Sequence, residues 1–153
     1  MYRPAIGRPR VLLVVSHPSV GAGIETILRL ERRYEVRRVA KLTEGVAVAR
    51  TWPADLALVD ALLIRGDARP DLGVPTLILA GGAADAAAAE RAIDTSRGWV
   101  AKDASSADLV SAVERLLTGS AETSAGSLAL FAIGVLVVVL AGLLLYLVWT
   151  AVA

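Results

Sequence analysis

The 153-residue chain has no cysteine and a single histidine, His17. No disulfide framework, thiol nucleophile or thiolate metal site can therefore be built, and a multi-histidine metal cluster is excluded. Charge, too, is missing from one stretch: no Asp, Glu, Lys or Arg occurs between Thr123 and Ala153. What fills that stretch is apolar, with Leu, Ile, Val and Phe dominating from Leu128 to Trp149. About twenty such residues are enough to cross a bilayer as a helix. Roughly fifteen of these side chains, at about −0.3 to −0.6 kcal/mol each, favour insertion by roughly 5–9 kcal/mol as an upper figure. Gly134 and Gly142 do not oppose this, because small residues are common in membrane helices. Residues 127–153 are thus expected to form one transmembrane helix.

Position and flanking charge orient that helix. It is C-terminal, so it is not a secretory signal peptide. The basic N-terminus, Met1 to Arg10, has no apolar stretch long enough for an export signal. Arg115 precedes the apolar run and no Lys or Arg follows it. The expected localisation is the cytoplasmic membrane, single-pass, with the N-terminal domain in the cytoplasm. Tyr146 and Trp149 fall where a far-side aromatic belt would lie. Ser127, Gly134 and Ala141 are small residues on one stripe, which would permit a homodimer through close helix approach.

About 120 residues remain for a soluble part, the usual size of one domain with its own core. The net charge of +1 hides an asymmetry. Residues 1–41 carry nine basic side chains and three acidic ones; the remainder carries seven and twelve. Arg29, Arg32, Arg33, Arg37, Arg38 and Lys41 form the densest cluster. With Glu31 and Glu35 interspersed, it reads first as a solvated helix end and strand edge. The other reading is a surface for anionic lipid headgroups or an acidic partner. No nucleic-acid-reading motif accompanies the charge, so nucleic acid is not an expected partner.

A short apolar run rich in β-branched residues, 11–15, marks a strand buried on both faces; 56–60 is a further buried strand, and 34–39, 75–80 and 99–102 read as strands. Between them lie helical patterns. Pro18 opens the first, with Ser16 or His17 as cap. Thr43 caps the second, residues 83–94 form an alanine-rich third, and Leu109 to Leu117 mark the last, which Gly119 stops. Alternating strands and helices predict an α/β fold with a parallel sheet covered on both faces. Five strands suit the flavodoxin-like order 2-1-3-4-5, with the ligand site at the carboxyl ends of the strands. The expected domains are 9–118, a Ser/Thr/Gly/Ala-rich linker 119–126, and the membrane helix 127–153.

Three segments on these elements resemble the response-regulator receiver domain, the CheY-like phosphoacceptor module of bacterial two-component systems. They are Arg10-Val-Leu-Leu-Val-Val-Ser-His-Pro18, Ala54-Asp-Leu-Ala-Leu-Val-Asp60 and Gly98-Trp-Val-Ala-Lys-Asp-Ala-Ser105. The resemblance implies Asp60 as the phosphoacceptor position, Lys102 as the phosphate-pairing lysine, and Ala80 and Trp99 as the switch positions. It also implies that Val15 and Ser16 stand where the family carries the acidic pair that holds Mg²⁺. Only fourteen residues separate Asp60 from Pro75, so the third helix must be shortened or absent. The last segment most resembles regulators with a helix-turn-helix output, whose place is taken here by the apolar tail.

These departures imply a degenerate receiver: a non-enzymatic signalling and protein-interaction module without a metal or other cofactor, in which Asp60 pairs with Lys102. The alternatives are a working receiver phosphorylated on Asp60 by a histidine kinase with Mg²⁺, and a scaffold binding an anionic membrane surface. The expected protein-partner face includes Ala88, Arg91, Trp99 and Arg115. His17 reads as a helix cap rather than an acid–base catalyst. Gly21-Ala-Gly23 lies inside the first helix and lacks the strand-to-helix position of a dinucleotide loop.

Deleting residues 127–153 should move the protein from the membrane fraction to the soluble fraction with cooperative unfolding retained. Fractionation and thermal denaturation of the truncated chain check this; aggregation would show that the apolar run belongs to the core.

Overall fold

A computed structural model of the chain describes residues 7–31, 33–64 and 69–119. Five strands run in the order β1 (Arg10–Val14), β2 (Glu35–Val39), β3 (Leu56–Asp60), β4 (Thr76–Ala80) and β5 (Ser96–Ala101). Helices α1 (Pro18–Leu30), α2 (Leu42–Thr51) and α3 (Ala83–Ala92) alternate with them, and a last helix, α4, covers 106–119. All strand pairs are parallel and the spatial order is 2-1-3-4-5, as the strand–helix alternation predicts. The chain divides into a compact unit ending at Leu117 and a second beginning at Thr118. Among the described residues no helix is long and apolar enough to cross a membrane. The apolar run 127–153 lies outside the described residues.

The central strands are almost wholly apolar because they are covered on both faces. Val11 to Val14, Leu56 to Val59 and Leu77 to Ala80 are all buried. Alternate residues feed two layers. Val11, Leu13, Leu56, Leu58, Leu77 and Leu79 pack under α1 and α4, meeting Ile24, Leu28, Leu109 and Val113. Leu12, Val14, Ala57 and Val59 pack on the opposite side, against Val46 and Ala49 of α2. Each fully buried Leu or Val contributes roughly 1.5–3 kcal/mol. The alanines of α3 serve close approach: Ala86 and Ala89 sit on Ile78 and Ala80.

Several boundaries differ from the sequence reading. β5 begins at Ser96, three residues before Trp99, because the strand contains a bulge. Thr76 pairs with Ser96 and Ile78 with Trp99, so one strand advances two residues while the other advances three. Gly98, at φ +118°, takes the conformation the extra residue needs. The N-cap of α2 is Lys41, with no side-chain cap, and not Thr43. His17 does occupy the N-cap of α1, yet its ring makes no capping bond and meets the Ser19 hydroxyl at 2.9 Å. Helix α4 begins earlier than Leu109 because the Ser105 side chain caps it. The Asp108 N–H donates to Ser105 Oγ at 3.2 Å, and Ser105 Oγ–H donates to Asp108 Oδ2 at 2.7 Å. Gly119 still lies within that helix. Between β3 and β4 the described residues hold only a 3₁₀ turn, Ala61–Leu63, where a third helix was expected to shorten or vanish. Residues 65–68 lie outside the described set.

Gly45 is where α2 comes closest to the sheet. A Cβ there would stand 2.8 Å from Val14 Cγ2, whereas a Cβ on Gly23 would meet open space. Gly45→Ala should therefore destabilise by about 1–3 kcal/mol through overpacking. Gly23→Ala, on an exposed helical position, should stabilise by about 0.5–1 kcal/mol. Paired denaturant unfolding of the two variants checks the sign of each effect.

Candidate functional site

Parallel pairing lines up the strand ends, and the residues beyond those ends meet at one carboxyl edge. Val15 continues β1: its N–H donates to Val39 O at 3.1 Å, and its side chain is buried towards α1. Asp60 ends β3, in register with Leu79 of β4. Lys102 comes directly after β5, and its N–H donates to Ala80 O at 3.0 Å, one step beyond the ladder. That backbone bond sets where the lysine stem starts.

The result is one short ion pair. Lys102 Nζ lies 2.6 Å from Asp60 Oδ1, with the Asp60 side chain 2% exposed and that of Lys102 23% exposed. The same oxygen accepts the Leu62 N–H at 2.9 Å, so Asp60 also caps the 3₁₀ turn just after it. A buried carboxylate needs this compensation, because the desolvation of an ionised group costs several kcal/mol. Other residues at this carboxyl edge offer little polar chemistry. Val15 contributes only hydrocarbon, Ala80 is fully buried among Ile78, Ala86 and Ala89, and Ser16 faces solvent. Among the described residues, no group of three or more His, Cys, Asp or Glu side chains is placed to hold a metal ion.

Asp60 and Lys102 are thus brought together, while Trp99 is not part of the pair. It lies on the outer strand β5 opposite Ile78 and is 41% exposed. Ala88, Arg91 and Arg115 are also exposed; Arg91 Nε donates to Ala87 O and Arg115 Nε to Ser111 O. The basic cluster divides between elements. Arg29 and Arg38 both pair with Glu25, at 2.7 and 3.0 Å, and Arg33 pairs with Glu114 at 3.1 Å. Arg37 instead lies over the Trp52 ring, 5.7 Å from its centroid, and Arg10 lies 5.9 Å from the same centroid. Lys41 caps α2 by position, and Arg32 lies outside the described residues.

Sequence reading missed two contributors at the edge. The Leu62 backbone N–H has no sequence signal, since it depends on how tightly the chain turns after Asp60. The Leu62 side chain is 48% exposed beside the acid. Ser105 is the other; its spacing to Asp108 was a legible capping pattern.

No family model and no curated protein sequence matches the chain. Solved structures do. The chain is similar to the signal receiver domain of NarL from Mycobacterium tuberculosis, at 19% identity and TM-score 0.64, over 74% of this chain and 98% of that one. A CheY-like response regulator receiver domain protein from Methanospirillum hungatei matches at 20% identity and TM-score 0.63, over 76% and 99%. A LuxR-family two-component response regulator from Aurantimonas matches at 26% identity and TM-score 0.63, over 74% and 87%. The chain has the receiver-domain fold of two-component response regulators.

The two partners of the ion pair should not be equally sensitive to removal. Lys102→Ala strands a buried carboxylate and should cost about 3 kcal/mol or more. Asp60→Asn leaves a lysine that already reaches solvent, and should cost about 1 kcal/mol. Urea unfolding of both variants and the double variant checks the order; equal losses would show that the pair is not buried as described.

Proposed function

We propose that the chain is a membrane-anchored, degenerate receiver: a non-enzymatic protein-interaction module in two-component signalling. The observation that carries this reading is the Asp60–Lys102 ion pair at a strand edge where positions 15 and 16 hold no carboxylate. In-line phosphoryl transfer depends on electrostatic stabilisation of the phosphoryl oxygens. Mg²⁺ takes octahedral oxygen ligands and is usually held by one or two carboxylates. The donor set here does not fit it. Val15 offers no oxygen, Ser16 offers one neutral oxygen facing solvent, and one oxygen of Asp60 is held by Lys102. Ala80, without a hydroxyl, gives a phosphoryl group nothing to draw towards itself.

Anchoring rests on the uncharged run 127–153, and the signalling role on the receiver fold by analogy, since a fold alone does not specify a function. Partner contact through Ala88, Arg91, Trp99 and Arg115 is supported by their exposure and by the Trp99 ring standing on an outer strand. A second reading, a working phosphoacceptor, is favoured by one fact: Asp60 and Lys102 are both present and adjacent.

Incubating the purified chain with acetyl phosphate and Mg²⁺, followed by intact mass measurement, separates the two readings. The degenerate receiver should show no phosphoryl adduct. A stable single adduct that disappears in Asp60→Asn would establish the second reading.

A further inference from the structure

The two outer strands leave the sheet with different edges. β5 carries the bulge at Gly98, which interrupts an even ladder, and a bulge is one way an edge avoids further pairing. β2 is regular: its residues match β1 one for one, from Arg10 with Glu35 to Val14 with Val39. The Glu35 N–H donates to Pro9 O at 2.9 Å, and Val39 O accepts the Val15 N–H at 3.1 Å. Backbone groups alternate sides along a strand, so Glu35, Arg37 and Val39 direct theirs at β1. Val36 and Arg38 therefore turn N–H and C=O outward. Among the described residues, the contact made to those outward groups is Arg29 Nη2 donating to Val36 O at 3.4 Å, too long for a strong bond. The same Arg29 nitrogen also serves Glu25.

Side chains on this edge sort by face. Glu35 and Arg37 lie on the α2 side, where Glu35 meets Arg10 at 3.2 Å and the Arg37 guanidinium lies 5.7 Å from the Trp52 centroid. Both are exposed, and among the described residues Arg37 has no carboxylate partner. Val36 and Arg38 lie on the α1 side, with Val36 buried and Arg38 paired with Glu25. The segment Glu35-Val36-Arg37 is its own antiparallel complement, because reading it backwards exchanges the two charges. A two-fold pairing of two β2 edges is antiparallel and keeps like faces together, so it is centred on a residue. Centring on Glu35, Arg37 or Arg38 sets like charges directly opposite, which destabilises a pair of strands. Centring on Val36 avoids this. It lets the outward groups of the two Val36 residues exchange both bonds, and it places each Glu35 opposite Arg37 of the other copy.

We infer that β2 pairs antiparallel with β2 of a second copy of this chain, centred on Val36, so that one sheet runs through both domains. The pairing asks little of the residues already there. Arg29 must leave Val36 O, and exposed contacts of that kind hold weakly. Glu35 can keep Arg10 while it meets Arg37 of the second copy. Two short strands bury less surface than a standard interface, so the dimer is weak and depends on concentration. Asp60 and Lys102 belong to β3 and to the end of β5, with β1 between them and the paired edge, so each copy keeps its own ion pair. The inference needs neither the membrane anchor nor the loss of phosphorylation.

Because the chain has no cysteine, engineered disulfides can map the register in the full-length protein. Glu35→Cys and Arg37→Cys chains, distinguished by a mass tag, are mixed in detergent, oxidised and weighed. In the inferred register, positions 35 and 37 of opposite copies form a non-hydrogen-bonded pair with Cα atoms about 4.5 Å apart, within disulfide range. Two positions 35, or two positions 37, stand about 8 Å apart, beyond that range. The mixed disulfide should therefore exceed either like-with-like disulfide by roughly fivefold. The mixed dimer also keeps one Glu35–Arg37 pair intact. Sedimentation of cysteine-free variants tests the charges. Arg37→Glu sets carboxylates against each other and should weaken association roughly tenfold, and adding Glu35→Arg to it should restore association. Recovery in the double variant excludes unfolding as the cause of the loss. Equal yields of mixed and like-with-like disulfides overturn the inference, as does a dimer indifferent to Arg37→Glu or not restored by the double variant. A chain that stays monomeric and uncrosslinked at about 100 μM overturns it as well.

Discussion

A carboxylate buried at the end of a central strand sets a demand that the surrounding structure must meet. Asp60 lies where β1 and β4 flank β3 on both sides, so water reaches it poorly and a cation must come from the protein. Lys102 can supply that cation only if β5 ends level with Ala80, because its stem starts from the N–H bonded to Ala80 O. The bulge near Gly98 and the β4–β5 register therefore matter to a pair they do not touch. A one-residue slip of β5 would turn the lysine to the other face of the sheet and leave the carboxylate unpaired. Burial cost thus ties the register of the outer strand to the chemistry of the edge.

The other residues at this edge fit the burial of the pair. A second carboxylate at position 15 would add like charge beside Asp60, with one lysine to offset both. Val15 brings no charge and extends the apolar layer beneath α1. Ala80 likewise continues the small-residue contact with α3, where the Cβ groups of Ala86 and Ala89 come close. At the pair itself, Lys102 supplies the cation for the buried Asp60 and the Leu62 N–H adds a second donor to the same oxygen.

Much of this was legible in the sequence because burial on both faces leaves continuous apolar runs, which locate β1, β3 and β4 without ambiguity. The strand order and the shortening between Asp60 and Pro75 came from alternation and from spacing. The start of β5 was not legible: Arg97 and Gly98 look like a turn, and the bulge that uses them exists only against Thr76 and Ile78. Helix caps were misread where the backbone closes the helix without a side chain, as at Lys41. The pairing of Asp60 with Lys102 could be anticipated from matching motifs. The Arg33–Glu114 contact could not, since it joins residues 81 positions apart whose proximity is a property of the packed helices.

A switch requires a ligand that binds one of two states better than the other; equal affinity shifts nothing. Under the degenerate reading, phosphate and metal no longer supply that difference, because the pocket that would sense them is closed by its own lysine. Any change of state must then be driven from surfaces, where a partner or a membrane can favour one arrangement through contact. The receiver fold suits such use, since its helices are held by burial on a rigid parallel sheet and present fixed side chains outward. Surfaces on opposite edges of one sheet can be occupied together without competing. A domain of this kind can hold a protein at one face while another face is engaged, and its output is then where it sits and what it holds.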